Sequence, residues 1–269
     1  MQNEPNGGLG KSFGAGVRRV SAAMSSRQHP GGPDADATGN APGQKIPRVL
    51  VQDLKQMPYR EALRIQETVH AEVLEGGQER LLLVEHPAVI TFGRRPEVNR
   101  NLIASDEELA KLGVEVVQSD RGGDITFHGP GQVVAYPIIR LNDHRLSVGG
   151  YVRMLQEVVI DALRALGVNA HRDECAIGAW VGDGGASEKI CAIGVRIRRG
   201  VSMHGLALNV TTDLSHFNLI VPCGLLGRGV TSMQKILGAQ TPSMQDVKRA
   251  LVKSFEAHLH TPAHRGDNL

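Results

Sequence analysis

The sequence feature that most constrains the fold is a glycine-rich stretch at residues 121–132, RGGDITFHGPGQ. Glycine allows a backbone turn with positive φ, or a close approach of the backbone to a ligand, so this stretch cannot be the interior of a helix. Ile125 and Phe127 alternate with Thr126, as apolar residues do in a short strand. The pattern predicts a strand, a loop and a second strand. The loop is either a turn between sheet strands or a binding loop, and the arginine and histidine that bracket it favour binding.

Composition limits the kinds of protein this chain can be. Its 269 residues, of which 41% are hydrophobic, suffice for one sizeable core or two modest ones. A formal net charge of +2 argues against a globally basic surface that would bind nucleic acid. The sequence contains no run of about 20 apolar residues and no apolar signal core at its N-terminus. We therefore expect a soluble, cytoplasmic protein that binds neither nucleic acid nor membranes.

Residues 1–45 are rich in Gly, Pro, Ser, Asn and Gln and show no sustained apolar period, which predicts a disordered extension. Residues 7–12, GGLGKS, match the end of a phosphate-binding loop, but Pro5 occupies the position at which that loop requires glycine. An organelle transit peptide is a second alternative, which the glycines disfavour. One folded domain is expected at residues 46–260, followed by a flexible tail at 261–269.

Apolar periodicity, capping residues and glycine stops predict the regular elements. Strands are expected at residues 48–51, 81–84, 89–92, 114–117, 133–138, 179–181, 189–197 and 201–210. Helices are expected from Pro58 to the glycines at 76 and 77, with Ala62, Gln66, Val69 and Val73 on one face, from Ser105 to Gly113, from Ser147 to Gly167, and at 243–258. The strands at 81–84 and 89–92 are expected to form a hairpin or to be close sheet neighbours. Because the helices do not alternate regularly with the strands, the predicted fold class is α+β, a mixed β-sheet with packed helices.

The segment that begins at Lys189 carries a possible chemical group. Alternation places this lysine on the same sheet face as Cys191, Ile193, Val195 and Ile197, which is unusual for a charged side chain. Partial burial would disfavour the ammonium form, and a nearby thiol could then exchange a proton with it. The alternative is a lysine at a strand end that reaches solvent.

The three cysteines, Cys175, Cys191 and Cys223, are not spaced like paired metal ligands, which predicts a reducing compartment and no metal site. Cys223 lies in a turn between proline and glycine, where its sulfur would be exposed. It is therefore a candidate nucleophile, with an inert small residue as the alternative. Cys175 and Cys191 are interpreted as structural.

Taken in order, these motifs resemble the octanoyltransferase family, also called lipoyl(octanoyl) transferases. The motifs lie at residues 121–132, 189–200, 204–209 and 222–224, and the resemblance extends from about residue 48 to 258. It implies a fold similar to the catalytic domains of biotin and lipoate protein ligases. It also implies an acyltransferase that moves octanoyl, and by extension lipoyl, from acyl carrier protein to a lysine of a lipoyl domain, the first step of endogenous protein lipoylation.

The resemblance also implies roles for individual residues. Cys223 would form an acyl thioester, and Lys189 would lower the pKa of its thiol. The substrate-contacting residues would be Arg121, Gly122, Gly123, Asp124, Ile125, Thr126, Phe127 and His128, then Ala192, Ile193 and Gly194, then Gly205, Leu206 and Ala207. Two residues depart from the usual pattern and affect the fine shape of the pocket: Asp124, where a longer polar residue is expected, and Ala179, where a β-branched residue is commoner.

The implied chemistry requires no metal, nucleotide or redox cofactor, because the acyl donor is carried on the phosphopantetheine of acyl carrier protein. The implied acceptors are the lipoyl domains of 2-oxoacid dehydrogenase complexes and the glycine cleavage H protein. Backbone N–H groups near the glycines, and the imidazoles of His128 or His204, are candidate donors to the tetrahedral oxyanion. Five arginines either form a positive rim that steers acidic partner proteins or are ordinary solvated charges at strand ends. They are Arg94, Arg95, Arg196, Arg198 and Arg199.

Three alternative functions share parts of this pattern. An ATP-dependent lipoate or biotin protein ligase would have a similar fold but would not need Cys223. A non-catalytic acyl-carrier-binding module would form no covalent adduct. An amidotransferase that moves octanoyl or lipoyl between proteins would use the same cysteine and lysine and differ only in its donor.

Overall fold

The protein is built on two β-sheets with helices packed around them. The computed structural model describes residues 49–95, 98–221 and 228–260. In this part of the chain the strands are β1 Leu50–Gln56, β2 Arg80–Glu85, β3 Val89–Phe92, β4 Glu115–Gln118, β5 Ile125–His128, β6 Gln132–Ile138, β7 Ala179–Val181, β8 Glu188–Arg198 and β9 Val201–Asn209. The α-helices are α1 Tyr59–Leu74, α2 Asp106–Leu112, α3 Val148–Ala165, α4 Met233–Leu237 and α5 Met244–His260.

The larger sheet has the strand order β1-β2-β6-β9-β8-β7, and the smaller one has the order β4-β3-β5. Each sheet combines one parallel pair, β1 with β2 and β3 with β4, with antiparallel pairs. Helix α1 covers one face of the larger sheet, where Val69 packs in a cluster with Leu82. Helices α3 and α5 contribute Leu155 and Phe255 to the larger core, which also contains Leu81. The predicted α+β class is confirmed.

Local signals at the helix ends act as expected. Ser105 caps α2 by accepting a hydrogen bond from the Glu108 N–H, and Gly113 ends that helix in the left-handed conformation. Ser147 caps α3 in the same way. Every helix in the described ranges is too short or too polar to cross a bilayer.

The expected pairing of the strands at 81–84 and 89–92 is wrong. These strands are β2 and β3, and they lie in different sheets. Strand β2 is already paired on both sides, because Leu82 lies opposite Gln52 of β1 and opposite Tyr136 of β6. It therefore has no free edge for β3, which pairs with β4 and β5 instead. The first strand is also displaced from its predicted position at 48–51 to Leu50–Gln56.

The glycine-rich stretch connects the two sheets. Strand β5 belongs to the smaller sheet and β6 to the larger, so the chain crosses between them at residues 129–131. Gly131 has a φ of 80°, and a Cβ there would lie 2.7 Å from the carbonyl carbon of Thr211. A Cβ at Gly129 would lie 2.6 Å from the Phe127 ring. These two glycines are needed because the crossing is tightly packed.

A buried pair of side chains connects the start of β2 to the segment after β6. Glu79 is 1% exposed, and its Oε2 lies 2.7 Å from Nε2 of His144. Its Oε1 accepts a hydrogen bond of 2.6 Å from the backbone N–H of Arg140. Both carboxylate oxygens therefore have partners away from solvent.

Replacing Glu79 with alanine should lower the free energy of unfolding by about 3–5 kcal/mol, because it leaves buried donors without an acceptor. Urea denaturation would measure the loss. The matched control is Asp143→Ala, which removes the carboxylate that pairs with Arg140 at the surface and should cost about 0–1 kcal/mol. Equal losses in the two variants would contradict the prediction.

Candidate active site

A cavity of about 350 Å³ lies between the glycine-rich stretch and strands β8 and β9. This volume is near the lower end of the roughly 300–1,000 Å³ typical of small-molecule sites. Its walls include residues 121–126 and His128 from the first motif, Lys189 and 192–195 from the second, and 204–207 from the third. Three motifs that are far apart in the sequence therefore meet around one space.

Most of the predicted substrate-contacting residues line this cavity, but Phe127 does not. Its ring stacks on His216 at a centroid distance of 4.7 Å and packs edge-on against Phe217 at 5.6 Å. Successive side chains of a strand point to opposite faces, so Thr126 lines the cavity while Phe127 fills the core of the smaller sheet. Cys223 lies outside the described residues.

The glycines shape the cavity by allowing backbone to pack on backbone. The Gly122 N–H donates a hydrogen bond of 3.0 Å to the Val195 carbonyl. A Cβ on Gly122 would lie 2.8 Å from that oxygen, and a Cβ on Gly194 would lie 2.8 Å from the Gly122 oxygen. The space that side chains would occupy at these two positions is therefore filled by the protein itself. The loop lies directly against β8 and closes one wall of the cavity.

Two polar residues of the first motif are anchored to the protein while lining the cavity. The Arg121 guanidinium donates hydrogen bonds to the Thr91 carbonyl at 2.6 Å and to the Gly122 carbonyl at 3.1 Å. Asp124 accepts hydrogen bonds from the Asn101 side-chain amide at 2.9 Å and from the Ile125 N–H at 2.8 Å. The contacts with Thr91 and Asn101 hold the loop to β3 and to the segment that follows β3.

Lys189 is half-buried and lies in the cavity wall. Its backbone is held by the segment at 229–231, because its N–H donates to the Gly229 carbonyl and its carbonyl accepts from the Thr231 N–H, both at 3.0 Å. Its ammonium lies 4.8 Å from the centroid of the Trp180 ring, and the Arg228 guanidinium lies 3.7 Å from the same centroid. The aromatic ring therefore orients the cationic end of Lys189.

His128 and His204 line the cavity as neutral imidazoles. Burial lowers the pKa of His128 to about 3. Burial, followed by the positive charges of Arg121 and Arg196, lowers the pKa of His204 to about 3. His128 Nδ1 donates to the Gln132 side-chain oxygen at 2.8 Å. His204 Nε2 donates to Asp120 Oδ1 at 2.7 Å.

The expectation that His128 or His204 donates to an oxyanion does not fit this geometry. Each neutral ring carries one N–H, and in both residues that N–H is already used by the protein. The second nitrogen of each ring can only accept a hydrogen bond. Backbone N–H groups remain as the candidate oxyanion donors.

Several cavity residues were missed by the sequence interpretation. Tyr59 from α1, Tyr136 from β6 and Val152 from α3 all line the cavity. No local signal distinguishes them from core residues, because only the packing of three distant elements brings them together.

The structural interpretation of Cys175 was wrong, because this residue is exposed and lines the cavity. Cys191, in contrast, is completely buried, and burial raises the pKa of its thiol to about 12. Cys191 therefore suits the structural role predicted for it.

The fold defines the protein as one with the catalytic-domain architecture of lipoate and biotin protein ligases. A lipoate-protein ligase A bound with ATP superposes with a TM-score of 0.66 at 19% identity, covering 82% of this chain and 89% of that one. A chain of the lipoylation system of Thermoplasma acidophilum, a bi-partite lipoate protein ligase with its E2 lipoyl domain, gives a TM-score of 0.65 at 19% identity, with 80% and 84% covered. The biotin protein ligase of Aquifex aeolicus in complex with biotin and ATP gives 0.50 at 10% identity, with 81% and 73% covered.

Sequence comparison identifies the family. Residues 58–256 match the lipoyl protein ligase A/B catalytic domain. The octanoyltransferase of Chloroflexus aurantiacus is 48% identical over 206 residues, which cover 76% of this chain and 91% of that protein. The octanoyltransferase of Bacteroides fragilis is 43% identical over 219 residues, which cover 79% and 98%. The chain belongs to the octanoyltransferase family, and both the predicted family and the predicted likeness to ligase folds are confirmed.

Proposed function

We propose that the protein transfers an octanoyl group from acyl carrier protein to a lysine of a lipoyl domain, through a thioester on Cys223. The observation that carries this proposal is one cavity in which Lys189 lies with segments of three of the four motifs, in a chain of the octanoyltransferase family. The assignment of the nucleophile rests on the sequence motif around Cys223.

In the first step, the Cys223 thiolate attacks the octanoyl thioester of the carrier. A carbon–sulfur bond forms to Cys223, and the bond to the pantetheine sulfur breaks. The leaving thiolate takes its proton from the Lys189 ammonium, which leaves this lysine neutral for the second step. A lysine ammonium beside a thiol favours the thiolate form, which is the role proposed for Lys189. Exchange of one thioester for another is nearly balanced in free energy.

In the second step, the amine of the acceptor lysine attacks the acyl-enzyme. A neutral Lys189 takes the proton from the attacking nitrogen, an amide bond forms, and Cys223 leaves as a thiol. Conversion of a thioester to an amide draws the reaction forward. Neither step needs a metal, a nucleotide or a redox cofactor, so transfer should proceed without ATP and in the presence of a chelator.

The cavity has an apolar part that suits an eight-carbon chain. Ile125, Val134, Ile193 and Leu206 line it alongside the polar residues described above. Each buried methylene contributes about 0.8 kcal/mol. Removing two carbons from the acyl donor therefore weakens binding by about 1.6 kcal/mol.

The donor and acceptor proteins are proposed to dock on a positive rim at the cavity mouth. Arg94, Arg95 and Arg198 are exposed, and Arg95 lines the cavity. The pKa of Arg196 is lowered, first by burial and then by the positive charges of Arg198 and Arg94, and its guanidinium forms an ion pair with Asp120. Acyl carrier protein and lipoyl domains are generally acidic and would be attracted to this rim. These partners would place the reaction in the cytoplasm.

Reversing the charge of Arg94 and Arg198 with glutamate should raise the apparent KM for octanoyl-acyl carrier protein about tenfold at low salt. The kcat should change little, because neither side chain is proposed to take part in the chemistry. Initial rates with octanoyl-acyl carrier protein would be compared with rates on octanoyl-pantetheine, which lacks the acidic domain. Lys253→Glu on the exposed face of α5 is the matched control. An unchanged KM in the double variant would contradict the proposal that acyl carrier protein docks on this rim.

The proposed function is tested by the intact mass of the enzyme after mixing with octanoyl-acyl carrier protein without ATP. The wild type should gain one octanoyl group that hydroxylamine removes, and Cys223→Ser should gain none that is labile in this way. Cys175→Ser is the matched control, because it removes the exposed thiol that lines the same cavity. It should still form the adduct.

The same experiment separates the alternative functions. Transfer that appears only when ATP is added would assign the protein to the ligases. Binding of the carrier without any adduct or transfer would indicate an acyl-carrier-binding module. A strong preference for an octanoylated or lipoylated protein over acyl carrier protein as donor would indicate an amidotransferase.

A further inference from the structure

Two buried amide side chains next to the cavity have no role in the mechanism above. Gln132 ends the first motif and Asn209 ends the third, and they lie directly opposite each other on β6 and β9. They are 2% and 4% exposed. Gln132 Nε2 donates to Asn209 Oδ1 at 2.8 Å, and the Gln132 Oε1 accepts from His128 Nδ1 at 2.8 Å.

These hydrogen bonds form a series from His128 through Gln132 and Asn209 to the Thr231 carbonyl. That carbonyl fixes the direction of every hydrogen bond in the series. The Thr231 carbonyl can only accept, so the Asn209 atom 3.0 Å away is the donating Nδ2. Asn209 Oδ1 therefore faces Gln132 and accepts from its Nε2, which also lies 3.3 Å from the Phe127 carbonyl. Gln132 Oε1 then faces His128, so the proton of the imidazole must be on Nδ1.

This tautomer leaves Nε2 of His128 with a lone pair. The imidazole lines the cavity and is stacked against the Tyr59 ring, with centroids 6.0 Å apart and planes 13° from parallel. Burial keeps the ring neutral, with a pKa of about 3. A neutral ring in this tautomer accepts a hydrogen bond from a bound molecule and repels a carbonyl oxygen.

We propose that His128 accepts a hydrogen bond from a substrate N–H in the cavity, and that Gln132 and Asn209 are positioning residues that hold it in this state. The inference rests on the proposed function for its substrates. Two N–H groups have the required chemistry: an amide of the pantetheine arm of the donor, and the amine of the acceptor lysine. Both enter the cavity during the proposed reaction.

The same hydrogen-bond chain also reaches the lysine of the site. Thr231, whose carbonyl accepts from Asn209, donates its own N–H to the Lys189 carbonyl at 3.0 Å. Asn209 therefore connects the acceptor atom of His128 to the strand that carries Lys189. This arrangement fixes the acceptor and the cation relative to each other across β6, β9 and β8.

The positioning role is tested by ¹⁵N NMR of protein labelled at histidine, at pH 7. Wild-type His128 should carry its proton on Nδ1, and Gln132→Met should allow a second population with the proton on Nε2. Asn209→Leu should also reduce the Nδ1 form, because it removes the side-chain oxygen that accepts from Gln132 Nε2 and so orients that amide. Ser202→Ala is the matched control, since it removes another buried hydrogen-bonding side chain from β9. It should leave the tautomer unchanged.

A wild-type His128 protonated on Nε2, or doubly protonated at pH 7, would overturn the proposal. So would a Gln132→Met protein that keeps the wild-type tautomer. This measurement needs only the free protein, so it remains decisive if the proposed acyl transfer fails.

The substrate contact is tested with His128→Phe, which keeps the aromatic ring and removes the lone pair. The rate of acyl-enzyme formation and the rate of transfer from isolated acyl-enzyme to a lipoyl domain are measured separately by quenched mass spectrometry. A loss of about tenfold in acyl-enzyme formation assigns the N–H to the pantetheine amide, and a similar loss in transfer assigns it to the lysine amine. Both rates within twofold of wild type would overturn the contact.

Discussion

Replacing Lys189 with methionine should lower the rate of octanoyl transfer about 1,000-fold, because the variant loses both the cation that favours the thiolate and the base that takes up the proton. Methionine keeps an unbranched stem against Trp180, so the free energy of unfolding should change by only about 1 kcal/mol, the size of the lost cation–π contact. The rate would be measured by the mass of a lipoyl domain after single turnover. Lys235→Met, which removes an exposed lysine paired with Glu188 at 2.8 Å, is the matched control and should retain wild-type activity.

Lys189→Arg separates the two roles of this lysine. Arginine keeps the positive charge but stays protonated, so it cannot take a proton from the attacking amine. Acyl-enzyme formation should therefore be less affected than transfer to the lipoyl domain. Full activity of the arginine variant in both steps would contradict the proposed base and leave only an electrostatic role for Lys189.

Gly194→Ala should reduce octanoyl transfer about 10- to 100-fold and lower the free energy of unfolding by about 1–3 kcal/mol. The added Cβ would lie 2.8 Å from the Gly122 carbonyl oxygen. Because this neighbour is backbone, the loop must move away from β8. The movement would displace Arg121, which depends on its hydrogen bonds to Thr91, and would open the cavity wall.

Initial rates and urea denaturation of the same preparation would measure both effects. The matched control is Gly149→Ala in the first turn of α3, where nothing lies within 4 Å of the added atom. Alanine has the higher helix propensity, so this control should be neutral or slightly more stable. Equal behaviour of the two variants would show that close packing at Gly194 has no effect on the site.

Much of the local structure could be predicted because its signals act over a few residues. A serine side chain caps the helix that starts next to it, and a glycine ends a helix by taking a positive φ, as Ser105 and Gly113 do for α2. The spacing of Ala62, Val69 and Val73 on α1 also predicted a buried face, and all three are buried. The order of the motifs was enough to indicate the family.

The environment of the site depended on long-range packing. Sequence alternation put Lys189 beside apolar residues, but only the fold shows that Trp180 and the segment at 229–231 surround it. The role of Cys223 stays a prediction from its motif. The tautomers of His128 and His204 could not be predicted. The partner of His128 is the nearby Gln132, but distant Asn209 orients that amide, and the partner of His204 is distant Asp120.

By itself, the sequence determined the α+β class, the helix ends, the strand, loop and strand of the glycine-rich stretch, and membership of the octanoyltransferase family, since these depend on neighbouring residues or on motif order. Only the tertiary structure decided that β2 and β3 enter different sheets, that Gly122 and Gly194 pack on each other, and that Cys175 lines the cavity. The physical reason is that strand partners and cavity walls depend on which edges and faces are still free after the other elements have packed. A local pattern contains no information about that competition.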